Sequence, residues 1–343
     1  MWWIYPVYAV LLIAVVFLSV QLGHLVDLLD RKTKISGAFL GAILLTSVTT
    51  IPELFSSISA IFVVGEPELV VGNILGSNLF NMTITALGTI IFFTNFKQSR
   101  IGKFHLWQIV IAGAFYALAA FAIFFPQLQI VFRIHLGNAE FAFGHLNIIS
   151  ILIIIAYVIL LRVHPSEKDE HHEAKEDNSP LTIKQIAFRF IVFALLLVGA
   201  SIGIAYAGDV ISNEIHIGKA VAGVIFLGVA TSLPELVTSM TLMAKKNFDA
   251  SLGNILGSAI FNFSILALSD VLTVNGSIYN YYGHTLEIGT IFVFLVLAWI
   301  ALAVFVFIKT QKQKLQSNKW ALLFIPLSLV IIVSYALSIA LSV

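Results

Sequence analysis

Cysteine is absent from the 343 residues, which excludes disulfides, thiolate metal sites and thiol redox chemistry. Charge is scarce. Only 11% of the residues are Asp, Glu, Lys or Arg, where a soluble domain carries about 25%. The formal net charge is +1, and no basic cluster of the kind that binds nucleic acid stands out. Hydrophilic stretches are rarer still: residues 164–180, HPSEKDEHHEAKEDNSP, form the one long example. The first apolar run, residues 2–22, has no basic region before it and is too long for a signal core. It reads as a membrane span, with Trp2, Trp3 and Tyr5 at an interface.

What remains is apolar. Hydrophobic residues make up 59% of the chain, in recurring runs of about 20, the length that crosses a bilayer. Ten such segments can be marked, at residues 2–22, 36–64, 68–93, 104–125, 146–163, 183–210, 219–244, 250–274, 286–308 and 320–341. The expected fold is an all-α polytopic membrane protein with ten transmembrane helices. Residues 127–144, with Arg133, His135 and Glu140 among aromatics, read as an interfacial loop. The basic residues support this count. With the N-terminus outside, 17 of the 19 Lys and Arg fall in inside loops, leaving Arg133 and Lys219 outside. Both termini are then outside.

The chain falls into halves. Residues 1–163 and 183–343 hold five segments each, joined by a cytoplasmic linker at 164–182. His171 and His172 could bind a metal or sense pH, but a charged, apolar-poor linker needs neither. The second half restates the first. GAILLTSVTTIPELFSSIS from Gly41 matches GVIFLGVATSLPELVTSMT from Gly223, and GNILGSNLFN from Gly72 matches GNILGSAIFN from Gly253. The repeats occupy about residues 37–91 and 219–273. Five is odd, so the second copy enters the membrane from the opposite side. The expectation is two inverted five-helix repeats, an architecture of secondary transporters.

Two acids stand apart. Of the 18, only Glu53 and Glu235 fall in the middle of an apolar segment, with no Lys, Arg or His at that depth. A charged side chain there costs about 2.5–3.5 kcal/mol on insertion scales, so such residues mark ion or proton paths. Each follows a proline, Pro52 or Pro234, which removes one N–H and opens the helix. Each proline follows a hydroxyl pair, Thr49 and Thr50 or Thr231 and Ser232. Asn73, Ser77 and Asn81 lie four apart on one helix face, as do Asn254, Ser258 and Asn262. Gly72 with Gly76, and Gly253 with Gly257, let a second helix approach closely.

The candidate ligands are therefore all oxygens. They are Glu53, Glu235, the amides of Asn81 and Asn262, the hydroxyls of Thr49, Thr50, Ser77, Thr231, Ser232 and Ser258, and freed carbonyls near Thr46 and Gly228. Calcium takes six to eight oxygens, and nothing here offers the nitrogen or sulfur of zinc, copper or nickel sites. Two carboxylates match one divalent ion or two monovalent ones. A lone proline in such a helix is usually a kink, and a lone Ser or Thr usually bonds its own backbone. Recurrence in register with the two buried acids favours a site. Asn73 and Asn254 read as structural partners of the opened backbone. Asn78, whose counterpart is Ala259, could be either.

At these residues the chain resembles the calcium/cation antiporter superfamily, sodium/calcium exchanger type. That family's two inverted repeats carry a hydroxyl-x-Pro-Glu element and a G-N-x-x-G-S-N element, and the likeness covers the whole chain. The resemblance implies a transporter rather than an enzyme, with no cofactor and with Ca²⁺ and Na⁺ as cargo. By position it makes Glu53 and Glu235 the central ligands, completed by Asn81 and Asn262. Thr49, Thr50, Ser77, Thr231, Ser232 and Ser258 would line flanking sodium sites. Asn262 departs from the Asp of several sodium/calcium exchangers. The G-N-x-x-E elements of the calcium/proton branch are missing, and so are the long calcium-sensor domains of animal exchangers. A prokaryotic plasma-membrane protein is implied. The alternatives are Ca²⁺/H⁺ exchange, or another divalent ion such as Mg²⁺ or Mn²⁺, on the same fold. A channel or an intramembrane enzyme fits the motifs less well.

Overall fold

A computed structural model describes residues 2–33, 46, 49–125, 131–135, 142–163, 181–273, 276–280, 286–312 and 322–342. The linker, with His171 and His172, and most of residues 34–48 lie outside the described residues. Among the described residues the secondary structure is helical except for one pair of strands. The helices are α1 (Ile4–Thr33), α2 (Ile51–Ser59), α3 (Glu68–Ile91), α4 (Phe93–Gln98), α5 (Phe104–Phe124) and α6 (Ile148–Val163). The second half contributes α7 (Ile183–Ile215), α8 (Lys219–Ala222), α9 (Val229–Thr231), α10 (Leu233–Ala244), α11 (Phe248–Leu272), α12 (Leu286–Lys312) and α13 (Phe324–Ala340). Two wide π turns occur, Ala60–Val64 after α2 and Gly223–Gly228 between α8 and α9.

Among the described residues six helices are long and apolar enough to cross a bilayer: α1, α3, α5, α7, α11 and α12. The bent pair Lys219–Thr231 and Leu233–Ala244 makes a seventh if it is one span. Ile51–Val64, Ile148–Leu160 and Phe324–Ala340 are shorter apolar helices. Each of the ten expected segments thus contains helix among the described residues.

Local chemistry sets several helix ends. Thr182 caps α7 through a reciprocal pair: its Oγ1 accepts from Gln185 N at 3.3 Å, and its N donates to Gln185 Oε1 at 2.9 Å. His216 closes α7 in the left-handed region, at φ 59°. Asn247 Oδ1 accepts from Ala250 N at 3.1 Å to start α11.

Residues 127–144 are not simply a loop, and the chain is not purely α-helical. Strand β1 (Val131–His135) pairs antiparallel with β2 (Ala142–Asn147), from Val131 opposite Asn147 to His135 opposite Ala142. Val, Ile and Phe in short runs favour a strand where the chain is too short for a span. Asp270 lies near the end of the eighth expected segment, at residues 250–274. It is fully buried at the end of α11. There its Oδ2 accepts from Asn147 N (3.2 Å) and Ser150 Oγ (2.7 Å), and its Oδ1 from Ser277 Oγ (2.6 Å) and Ile278 N (2.9 Å). Four donors replace the water such a carboxylate would otherwise need.

The centre is formed by α3 and α11. In their most apolar windows 78% of α3 and 67% of α11 is buried, against 22% of α1. The two pack on each other, and α3 also packs along the π turn at Gly223–Gly228. Glycine permits this approach. A Cβ on Gly72 would strike the Ala220 carbonyl, and one on Gly76 would lie 2.6 Å from Val224 Cα. Outside this centre α1 lies along α7.

Candidate cation site

The two proline motifs break their helices in the same way. Thr50 precedes α2 at φ −92°, ψ 3°, and Ser232 precedes α10 at φ −88°, ψ 6°. Both values lie in the sparsely populated bridge region. The prolines at 52 and 234 sit in the first turns of the new helices, where their missing N–H costs no hydrogen bond. The break at Ser232 bends the chain by 49°. Glu53 and Glu235 follow in the first turns of α2 and α10, where the positive end of the helix dipole favours a carboxylate.

Both acids are fully buried, and each is bound by a hydroxyl. Glu53 Oε1 accepts from Ser232 Oγ, in the opposite repeat, at 3.1 Å. Glu235 Oε1 accepts from Ser258 Oγ at 3.3 Å, and Ser258 lies 3.4 Å from Thr50 Oγ1 in the first repeat. The breaks are thus interlocked. Their other oxygens, Glu53 Oε2 and Glu235 Oε2, are buried and make no hydrogen bond within the protein.

A neutral oxygen cluster lies beside each acid. Ser77 Oγ donates to Gly228 O at 3.2 Å and lies 3.5 Å from Thr231 Oγ1. On the other side Thr49 and Thr50 both donate to Thr46 O, at 3.2 and 2.5 Å. The carbonyls of Thr46 and Gly228 therefore carry donors, whereas the sequence predicts that the prolines free them. They also accept the backbone N–H groups of Thr50 (3.0 Å) and Ser232 (3.3 Å). The proline N–H is missing two residues further on, so these two carbonyls keep their helical partners.

Asn81 is fully buried one turn beyond Ser77, and its amide makes no hydrogen bond within the protein. Asn262 is equally buried. Its Nδ2 donates to Asn78 Oδ1 at 2.9 Å, and its Oδ1 is unbonded. Asn73 Nδ2 donates to Ser56 Oγ (3.0 Å), Ser57 Oγ (3.1 Å) and Glu53 O (3.4 Å), and so ties α3 to the start of α2. Its counterpart Asn254 reaches Ser239 Oγ at 3.4 Å. Sequence reasoning did not single out Ser56, Ser57 or Ser239. Their signal was present: Ser57 and Ser239 are equivalent in the repeat, as are Asn73 and Asn254.

Among the candidate ligands four buried oxygens, one each on Glu53, Glu235, Asn81 and Asn262, thus lack a partner. Leaving such a group unmet costs about 1–3 kcal/mol, more for a charged one. Among the described residues no group of three or more His, Cys, Asp or Glu gathers elsewhere. Two acids with amides, hydroxyls and carbonyls form a hard-cation donor set.

Fold and site together define the class: a polytopic helical membrane protein with a buried all-oxygen cluster where two broken helices meet. The chain belongs to the sodium/calcium exchanger protein family, which matches residues 3–164 and 186–343. Members of that family are transporters and not enzymes, and the ions are cargo rather than cofactors. Among relatives, the chain is 25% identical over 242 residues to the vacuolar calcium ion transporter of Schizosaccharomyces pombe, covering 67% of this chain and 57% of that one. It therefore spans little more than half of that relative's length. Its fold is similar to that of the H⁺/Ca²⁺ exchanger CAX, at a TM-score of 0.65, 13% identity and coverage of 99% and 90%. It is also similar to the sodium-calcium exchanger NCX_Mj, at a TM-score of 0.56, 20% identity and coverage of 97% and 99%.

Proposed function

We propose that the chain exchanges Na⁺ for Ca²⁺ across the plasma membrane by alternating access. Glu53 and Glu235 are the central ligands, and Asn81 and Asn262 complete the middle. Thr49, Thr50 and Ser258 with the Thr46 carbonyl, and Thr231, Ser232 and Ser77 with the Gly228 carbonyl, flank the centre as sodium sites. The observation that carries this reading is the pair of buried carboxylates, each with one oxygen held by a hydroxyl and one left unbonded. One Ca²⁺ balances two carboxylates, and so do two Na⁺. A bare dianionic site resists crossing the low-dielectric interior, which couples the two fluxes.

Ten spans arranged as two inverted five-helix repeats, residues 1–163 and 183–343 about the 164–182 linker, supply the alternation. Reciprocal packing supports this layout. The third segment, α3, packs on α13, the tenth; the eighth, α11, packs on α6, the fifth. Likewise α3 packs on α12, the ninth, and α11 on α5, the fourth. These are the pairings a two-fold exchange of the halves demands. The paired α1 and α7, which carry no acid into the site, are the sliding element. The distribution of the basic residues supports both termini lying outside.

The test is uptake of radioactive calcium into vesicles under an imposed sodium gradient. Sodium-driven uptake that persists in Glu53→Gln or Glu235→Gln protein sinks the proposal. One observation favours a second reading, Ca²⁺/H⁺ exchange. Asn81 and Asn262 are neutral amides, so the two glutamates alone can titrate at the centre. Uptake driven by a pH gradient, and not by sodium, selects it.

A further inference from the structure

We propose that Asn78 is a positioning residue, which holds the amide of Asn262 with its oxygen toward the cation. The inference rests on the reading of Asn262 as a ligand. A carboxamide is ambiguous as a metal ligand: turned one way it presents an acceptor oxygen, turned the other an NH₂ group that repels a cation. Rotation about one bond exchanges the two, so an unrestrained amide presents both faces.

Asn262 is restrained. Its Nδ2 donates to Asn78 Oδ1 at 2.9 Å across the contact between α11 and α3. That bond occupies the nitrogen side, while Oδ1 is buried and unbonded one turn from Ser258, which serves Glu235. Asn81, the counterpart of Asn262, is not restrained, because neither Nδ2 nor Oδ1 bonds among the described residues. The reason lies in the sequence. GNILGSNLFN and GNILGSAIFN differ at Asn78 against Ala259, so the second repeat has no amide to restrain Asn81. The halves of the site are thus unequal: Asn262 is a fixed ligand, and Asn81 can turn as the ion enters and leaves. Both Asn78 and Asn262 are fully buried, so water does not compete for their bond.

The experiment is exchange of ⁴⁵Ca²⁺ for unlabelled Ca²⁺ in proteoliposomes, which needs neither a sodium nor a proton gradient. Asn78→Ala is expected to raise the half-saturating Ca²⁺ about tenfold, the scale on which groups that orient metal ligands act. The decisive background is Asn262→Asp. A carboxylate has two equivalent acceptor oxygens and needs no orientation, so Asn78→Ala should there cost less than about twofold. An equal loss in both backgrounds, or none in either, overturns the proposal, since a packing role does not depend on the chemistry of residue 262. Asn78→Asp keeps the acceptor at nearly constant size, and it should hold half-saturation within about twofold of the parent or below it. A loss as large as that of Asn78→Ala overturns the proposal without relying on a cavity-forming variant. Asn262→Ala separates the two readings. If it leaves half-saturation unchanged, Asn262 is no ligand and the site falls; if it matters while Asn78→Ala does not, only the positioning role falls.

Discussion

Ser232 Oγ donates to Glu53 Oε1 at 3.1 Å, so the hydroxyl at the break of one repeat serves the acid of the other. Neither break is complete by itself. Ser232→Ala should therefore raise the half-saturating Ca²⁺ for exchange by about 10- to 100-fold, the usual scale for a hydrogen bond to a charged group. Glu53→Gln should abolish exchange. Calcium titration of ⁴⁵Ca²⁺ uptake in proteoliposomes checks both.

Gly72 and Gly253 are equivalent in sequence but not in surroundings. A Cβ on Gly72 would strike the Ala220 backbone, whereas one on Gly253 meets nothing closer than His105 Cε1, at 3.6 Å. Gly72→Ala should destabilise the protein by at least the 1–3 kcal/mol typical of overpacking, and about that range is a lower bound where backbone is struck. Gly253→Ala should be neutral or gain up to about 1 kcal/mol from helix propensity. Thermal denaturation of the detergent-solubilised protein, read as Tm, distinguishes them.

Pro234 leaves the helix open at a bend of 49°. Pro234→Ala restores an N–H able to bond the carbonyl four residues back, and favours a straight helix. Ca²⁺ exchange should fall while Tm holds or rises. A fall in both would mean that the proline serves stability rather than the shape of the site.

Tyr8 OH, on α1, donates to Phe226 O in the π turn at 2.6 Å. Residues 187–190, the corresponding stretch near the start of α7, read Ala-Phe-Arg-Phe and hold no such hydroxyl. A bond present in one half alone biases an otherwise balanced pair of states. Tyr8→Phe should change the maximal exchange rate by about 2- to 10-fold, the scale of one hydrogen bond, and shift the half-saturating Ca²⁺ by no more than about that factor. Initial rates across a calcium titration separate the two parameters.

Much of this was legible in the sequence because it recurs. Glu53 and Glu235 stood out by depth, and the repeat placed the same residue types around each. The glycine pairs announced a close contact, and the structure puts Gly72 and Gly76 against the Ala220–Val224 backbone. What broke the repeat was harder to read. Asn78 faces Ala259 in the alignment, so no echo marked it, and its partner lies 184 positions away. The state of the Thr46 and Gly228 carbonyls depended on which N–H the proline removes, an offset of two residues. The hairpin of β1 and β2 was missed because its runs are too short for a periodic signal. The burial of Asp270 has no local sequence signal, because it is decided by four donors from Asn147, Ser150, Ser277 and Ile278.

Those four donors have a mechanical result. An anion enclosed on every side cannot part from any one contact without stranding its charge, so α11, the end of the hairpin, the first turn of α6 and the 276–280 turn are riveted at one point. That corner of the molecule behaves as a chassis. Whatever rocks during the transport cycle must hinge elsewhere, and a spectroscopic ruler between labels at the exposed positions Leu152 on α6 and Leu268 on α11 should read one length in every state of loading.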